Sequence, residues 1–119
     1  MTMDAWVQNQ QLAPDFIKCD VEGAELLVCR GGRETLARHR PIVFAELLRK
    51  WSKPFGYHPN DMLGFFAELG YVCYAIGPGG ARRLGEVSDT TPETNYAFLH
   101  REQHAAKCAA LEAMKAGHD

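Results

Sequence analysis

The sequence predicts an α/β fold: three parallel strands and one antiparallel strand, flanked by helices. Three observations point there. Short apolar, β-branched or aromatic runs alternate with helical patterns along the chain. Prolines and glycines stand at the joints between them, at Pro41, Pro59 and Gly70. The chain has 119 residues, 46% of them hydrophobic, which is enough for one core and too little for a second full domain.

The first strand is Phe16–Asp20, after the turn-like Ala13-Pro14-Asp15. A helix over Gly23–Cys29 follows, with Gly31-Gly32 where a left-handed C-cap belongs. A second short helix, Arg33–Arg38, runs into Pro41, which ends it. Ile42–Glu46 is the next strand, and its unbroken apolar run suggests cover on both faces. An irregular connection spans residues 47–58. Pro59 then opens a helix whose Met62, Phe65, Phe66 and Leu69 share one face, and Gly70 stops it. Tyr71–Ile76 is the third strand. A loop over residues 77–94 leads to the closing strand, Asn95–Leu99, antiparallel to the third, and residues 102–119 form a C-terminal helical tail.

Charge and cysteine usage exclude several functions. A net charge of −2 gives no electrostatic footprint for nucleic acid or an anionic membrane. No apolar run reaches the roughly 18 residues of a membrane helix, and the acidic start Met1-Thr2-Met3-Asp4 does not resemble a secretion signal, so a cytoplasmic location is expected. Cys19, Cys29, Cys73 and Cys108 are scattered without ligand spacing, which predicts reduced, buried thiols and no metal site.

The segment Pro14-Asp15-Phe16-Ile17-Lys18-Cys19-Asp20-Val21-Glu22-Gly23-Ala24-Glu25 resembles the D-F-I-K-x-D-V-E-G-A-E block of the FkbM-like methyltransferases. The similarity continues through Gly31-Gly32, Thr35-Leu36, Arg40-Pro41-Ile42-Val43, Glu46, Leu69-Gly70-Tyr71 and Asn95-Tyr96-Ala97-Phe98, and reaches back to Thr2-Met3-Asp4. The resemblance implies a Rossmann-like fold, S-adenosylmethionine as cofactor, and methyl transfer to a hydroxyl of a sugar or small metabolite. It covers the C-terminal half of such an enzyme. The Gly-rich turn that holds the cofactor has no counterpart here, since Gly31-Gly32 ends a helix and the Gly77–Gly80 cluster joins two strands. The expectation is therefore a single partial domain over residues 1–119, inactive alone. The rival is a non-catalytic remnant or interaction module that has kept the sheet edge and lost the cofactor site.

In an open α/β sheet, ligands bind beyond the carboxyl ends of the parallel strands. Asp20, Glu22 and Glu46 fall at that edge and are the candidate catalytic acids; Asp20 is also the candidate cofactor contact. Methyl transfer is an in-line displacement that depends on alignment, and a hydroxyl acceptor also needs a base. His58 titrates at the same edge, and the sequence does not choose among the four. Asp20 equally suits a helix cap, and Glu22 a first-turn acid. Glu25 reads as surface matching the helix dipole. Lys18 sits inside a strand expected to be covered, so either an ion pair with Glu46 or Glu22, or an anionic substrate group, should meet it. Trp51, Tyr57 and His58 offer aromatic contacts to a substrate or plain loop packing, and Asn95 is the remaining candidate substrate contact. His39, His104 and His118 read as solvated. The outer side of Phe16–Asp20 would lack a strand neighbour, which predicts self-association through that edge.

Overall fold

The computed structural model describes residues 1–21, 23–48, 53–88 and 90–116. The elements among these residues are, in order, α1 (Met3–Asn9), β1 (Phe16–Cys19), α2 (Glu25–Arg30), α3 (Arg33–His39), β2 (Ile42–Glu46), a 3-10 turn at Lys53–Phe55, α4 (Pro59–Glu68), β3 (Tyr71–Gly77), β4 (Gly80–Leu84), β5 (Asn95–His100) and α5 (Ala105–Ala116). The strands form one sheet in the order β1-β2-β5-β3-β4.

The α/β class is as expected, but the pairing differs. Only β1 and β2 form a parallel ladder; β5 lies between β2 and β3, antiparallel to both. Thus β1, β2 and β3 run in one sense, yet β3 touches neither of the others. In place of the expected three parallel strands and one antiparallel strand, the described residues form a mixed five-stranded sheet. A second difference is β4, which occupies part of the expected 77–94 loop and pairs with β3 as a hairpin from Gly77 opposite Gly80. Its sequence, Gly-Ala-Arg-Arg-Leu, lacks the apolar alternation that announces a strand; the tight Pro78-Gly79 turn imposes it instead.

Helices α2, α3 and α4 cover one face. Cys19, Leu26, Cys29, Leu36, Val43, Met62, Phe66 and Phe98 meet there, with the Phe66 ring stacked on Phe98 at a centroid distance of 4.2 Å. The predicted stripe of α4 supplies Met62, Phe65 and Phe66 to this layer. All four cysteines are free and buried. The expected left-handed cap at Gly31 is right-handed, with φ −71°. The glycines serve close approach: a Cβ on Gly32 would collide with the Met3 side chain of α1. Asp4 of α1 also caps α3 from a distance, accepting the N–H groups of Glu34 (3.1 Å) and Thr35 (2.8 Å) and the Thr35 hydroxyl (2.6 Å).

The opposite face is covered only in part, by α5 through Cys108 and Leu111 against Tyr74, Ala81, Ala97 and Leu99. Ile42 and Phe44 of β2 stay half-buried and Phe16 is 57% exposed, so the expectation of strands covered on both faces fails at this end of the sheet. No helix among the described residues is long and apolar enough to cross a membrane.

Candidate functional site

The carboxyl ends of β1, β2 and β3 meet the start of β5 along one edge. Glu46 stands opposite Asn95 in the β2–β5 ladder, Asn95 opposite Ile76, and Ile76 opposite Ala81. Asp20 emerges one residue past the last β1–β2 pair, Cys19 opposite Ala45, which brings it level with Glu46. Neighbouring strands lie about 4.8 Å apart, so Asp20, Glu46 and Asn95 span roughly 10 Å of this edge. Opposed residues share a face, and both carboxylates are exposed. Two of the three predicted acids and Asn95 therefore come together. Glu22 and Trp51 lie outside the described residues, as does His118.

The other predicted contacts are assigned different work. Lys18 is exposed on the partly covered face and makes no ion pair among the described residues, so the expected pair with Glu46 does not form. The reason is the missing cover: a lysine in a strand open to solvent needs no counter-ion. Tyr57 is 7% exposed, and its hydroxyl donates to Glu25 Oε1 at 3.2 Å. Burial, then the Glu25 charge, pushes the Tyr57 phenol up to about 12. It is a packing residue facing inward, not a ring offered to a ligand. His58 caps α4: its Nδ1 accepts the Asn60 N–H at 3.0 Å while Asp61 accepts the His58 N–H at 2.8 Å. The His58-Pro59-Asn60-Asp61 spacing carries this capping box in a form with histidine in place of the usual serine or threonine.

Glu25 is the residue that sequence reasoning misjudged most. Only 2% exposed, its carboxylate reaches back to accept the N–H groups of Val21 (3.2 Å) and Gly23 (3.1 Å) as well as the Tyr57 hydroxyl. Ala24, at the N-cap of α2, makes no side-chain cap bond, and Glu25 takes over that task from the first turn. The turn leaving β1 beside Asp20 is thereby held by an internal anion. Sequence position alone suggested a solvated dipole match; Tyr57, far along the chain, supplies the burial.

A hollow of about 520 Å³ lies next to Asn95, between the β3–β4 turn and residues 92–95. Its rim is tied down at several points. Arg82 donates twice to Glu93, at 2.7 and 2.8 Å, and holds the Glu93 carboxyl below the usual range. The Tyr96 hydroxyl donates to the Glu93 carbonyl at 2.7 Å, and the Leu47 N–H to the Thr94 carbonyl at 2.8 Å. Outside the lining, the Asn60 amide ties the connection between β4 and β5 to α4 through both backbone groups of Val87, at 2.6 and 3.0 Å.

A family model described as Methyltransferase FkbM domain matches residues 1–73. The chain belongs to the FkbM methyltransferase family. No curated protein and no solved structure matches it. The matched residues carry Asp20 and Glu46; Asn95 and the hollow lie beyond them.

The described residues of this FkbM domain do not make a cradle for S-adenosylmethionine. The amides of Val21 and Gly23, in the turn from β1 to α2, are already taken by Glu25. Gly31-Gly32 joins two helices and Gly77–Gly80 a hairpin, as the sequence indicated. Asp20, exposed at the end of β1, is an acidic group in a position to meet an external ligand beside that turn.

Proposed function

We propose that this chain serves the acceptor side of an S-adenosylmethionine-dependent methyltransferase that methylates a hydroxyl of a sugar or small metabolite in the cytoplasm. Membership of the FkbM family over residues 1–73 is the observation that carries the reading. Alignment provides most of the acceleration in an in-line displacement. A hydroxyl must also lose its proton, and Glu46 is the group we assign as base, because it stands exposed directly opposite Asn95, which lines the hollow. Asp20 orients the reacting pair from the neighbouring strand end, and Glu22 is kept as a further candidate acid from the sequence. Taken alone, the chain is proposed to hold the cofactor weakly, with a dissociation constant above about 10 μM, and to be inactive.

The capture of the Val21 and Gly23 amides by Glu25 favours a second reading, a non-catalytic module. Transfer of labelled methyl from S-adenosylmethionine, measured in the full natural polypeptide containing these residues, separates the two. Label should appear on a hydroxyl acceptor and fall about 10²–10⁴-fold in Glu46→Gln, the usual cost of losing a positioned base. A folded protein that transfers nothing across a panel of glycosides and small alcohols would establish the non-catalytic reading. Activity within about threefold of wild type in Glu46→Gln would remove Glu46 as base.

A further inference from the structure

We infer that the hollow beside Asn95 binds a neutral, polyhydroxylated ring such as a pyranose, and presents one of its hydroxyls to Glu46. At about 520 Å³ it falls within the range of small-molecule pockets, roughly 300–1,000 Å³. Its lining has the two characters that a sugar ring has. Pro78 and Pro92 offer flat apolar surface to a C–H face, while Thr94 and Asn95 both donate and accept hydrogen bonds, as ring hydroxyls do.

Charge selects against ionic ligands. Arg82 and Glu93 are the charged groups of the lining, and each satisfies the other through two short bonds. With each charge already met by the other, an anionic ligand finds no uncompensated cation in the lining and a cationic one no uncompensated anion. A neutral ring can bond to the outer lone pairs and remaining N–H groups without disturbing either. The bonds that tie down Glu93 and Thr94 keep the rim formed before a ligand arrives, which lowers the ordering cost of binding. Glu46, directly across the ladder from Asn95, is then next to whichever hydroxyl Asn95 engages. Calling that ring the acceptor rests on the methyltransferase reading; the binding site itself does not.

The test is a nuclear magnetic resonance titration of the isotope-labelled protein with methyl α-D-mannopyranoside and methyl β-D-glucopyranoside. Glucuronate and cyclohexanol serve as the charged and apolar controls. Saturable amide shifts should cluster at Gly79, Gly80, Thr94 and Asn95 with a glycoside, and not with the controls. Asn95→Ala should weaken binding at least about tenfold; if that variant loses its native spectrum, Thr94→Val makes the same comparison. Shifts that are absent, that map away from the hollow, or that glucuronate reproduces at equal concentration overturn the inference, as does unchanged affinity in the folded variants. Ring binding without methyl transfer would leave this site standing and remove only the methyltransferase reading. Methyl transfer to a glycoside with no perturbation of the hollow would do the reverse.

Discussion

At the scale of single residues, Glu25 and Lys18 exchange the roles their positions suggest. Glu25, one residue into a helix, is buried and holds the turn beyond β1, while Lys18, inside a strand, is exposed. The two therefore respond oppositely to substitution. Glu25→Ala takes the carboxylate from the buried Gly23 N–H and the part-buried Val21 N–H and removes one bond of the Tyr57 hydroxyl, and a buried unsatisfied group costs about 1–3 kcal/mol. Thermal or denaturant unfolding should show a loss of at least that size, with Glu25→Gln recovering part of it through its remaining carbonyl oxygen. Lys18→Met should stay within about 0.5 kcal/mol of wild type, as exposed substitutions usually do. A loss of several kcal/mol in Lys18→Met would restore the buried ion pair and contradict the exposed side chain.

At the scale of elements, the junction between β5 and α5 depends on two histidines. His104 Nδ1 accepts the His100 N–H at 2.9 Å, and His100 Nδ1 accepts the N–H groups of Glu102 and Gln103, each at 3.2 Å. A Cβ on Gly70 would meet the His100 ring, and Gly70 itself has φ +86°, so glycine is required there twice over. Burial lowers the pKa of both rings below the ordinary 6.5; Arg40 and Arg101 add to this at His100, Lys107 at His104, while Glu102 opposes it at His100. Above pH 6.5 both rings are neutral in folded and unfolded chains alike. As pH falls through that value, the unfolded chain takes up protons that the folded one refuses, so stability declines. The melting temperature should therefore drop between about pH 7.5 and pH 5. His104→Asn, which keeps an acceptor without the titration, should flatten the curve; an unchanged slope would place the titrating group elsewhere. Little of this was legible beforehand. The stripe of α4 and the runs of β2 and β3 declare themselves because burial there follows local periodicity. His104 and Tyr57 resist such reading, because long-range packing buries them. The place of β5 was equally hidden: strand composition gives direction and existence, but insertion between β2 and β3 is a choice made by the whole sheet. The edge rule did place Asp20, Glu46 and Asn95 along one edge, since strand ends are readable. The hollow was not, because β4 has no strand pattern to announce it.

For the whole molecule, the partly covered face decides behaviour in solution. Phe16, 57% exposed, lies on the same face as half-buried Ile42 and Phe44, which lead into an apolar groove of about 370 Å³ beneath α5. The outer side of β1 has no ladder partner among the described residues. Both features favour association with a second copy, but with unequal force. An edge of four residues with a lysine in its middle carries two of the devices that discourage strand addition, so backbone pairing along β1 is the weaker drive. Apolar face against apolar face removes Phe16 and Phe44 from water at about 25 cal/mol for each square ångström buried, while Lys18, on the same face beside Phe44, can lay its stem along the contact and keep its ammonium in solvent. Self-association is therefore expected to run through the face, with the edge contributing alignment. Sedimentation at several concentrations should show a species heavier than 13.3 kDa that grows with concentration. Phe16→Glu should return it to the monomer, because it removes the most exposed aromatic ring of the face and puts in its place a carboxylate that would have to leave water in the contact. Association that survives Phe16→Glu would assign the contact to the β1 edge after all. A single 13.3 kDa species at high concentration in the unaltered chain would mean that α5 and its surroundings cover the face well enough without a partner.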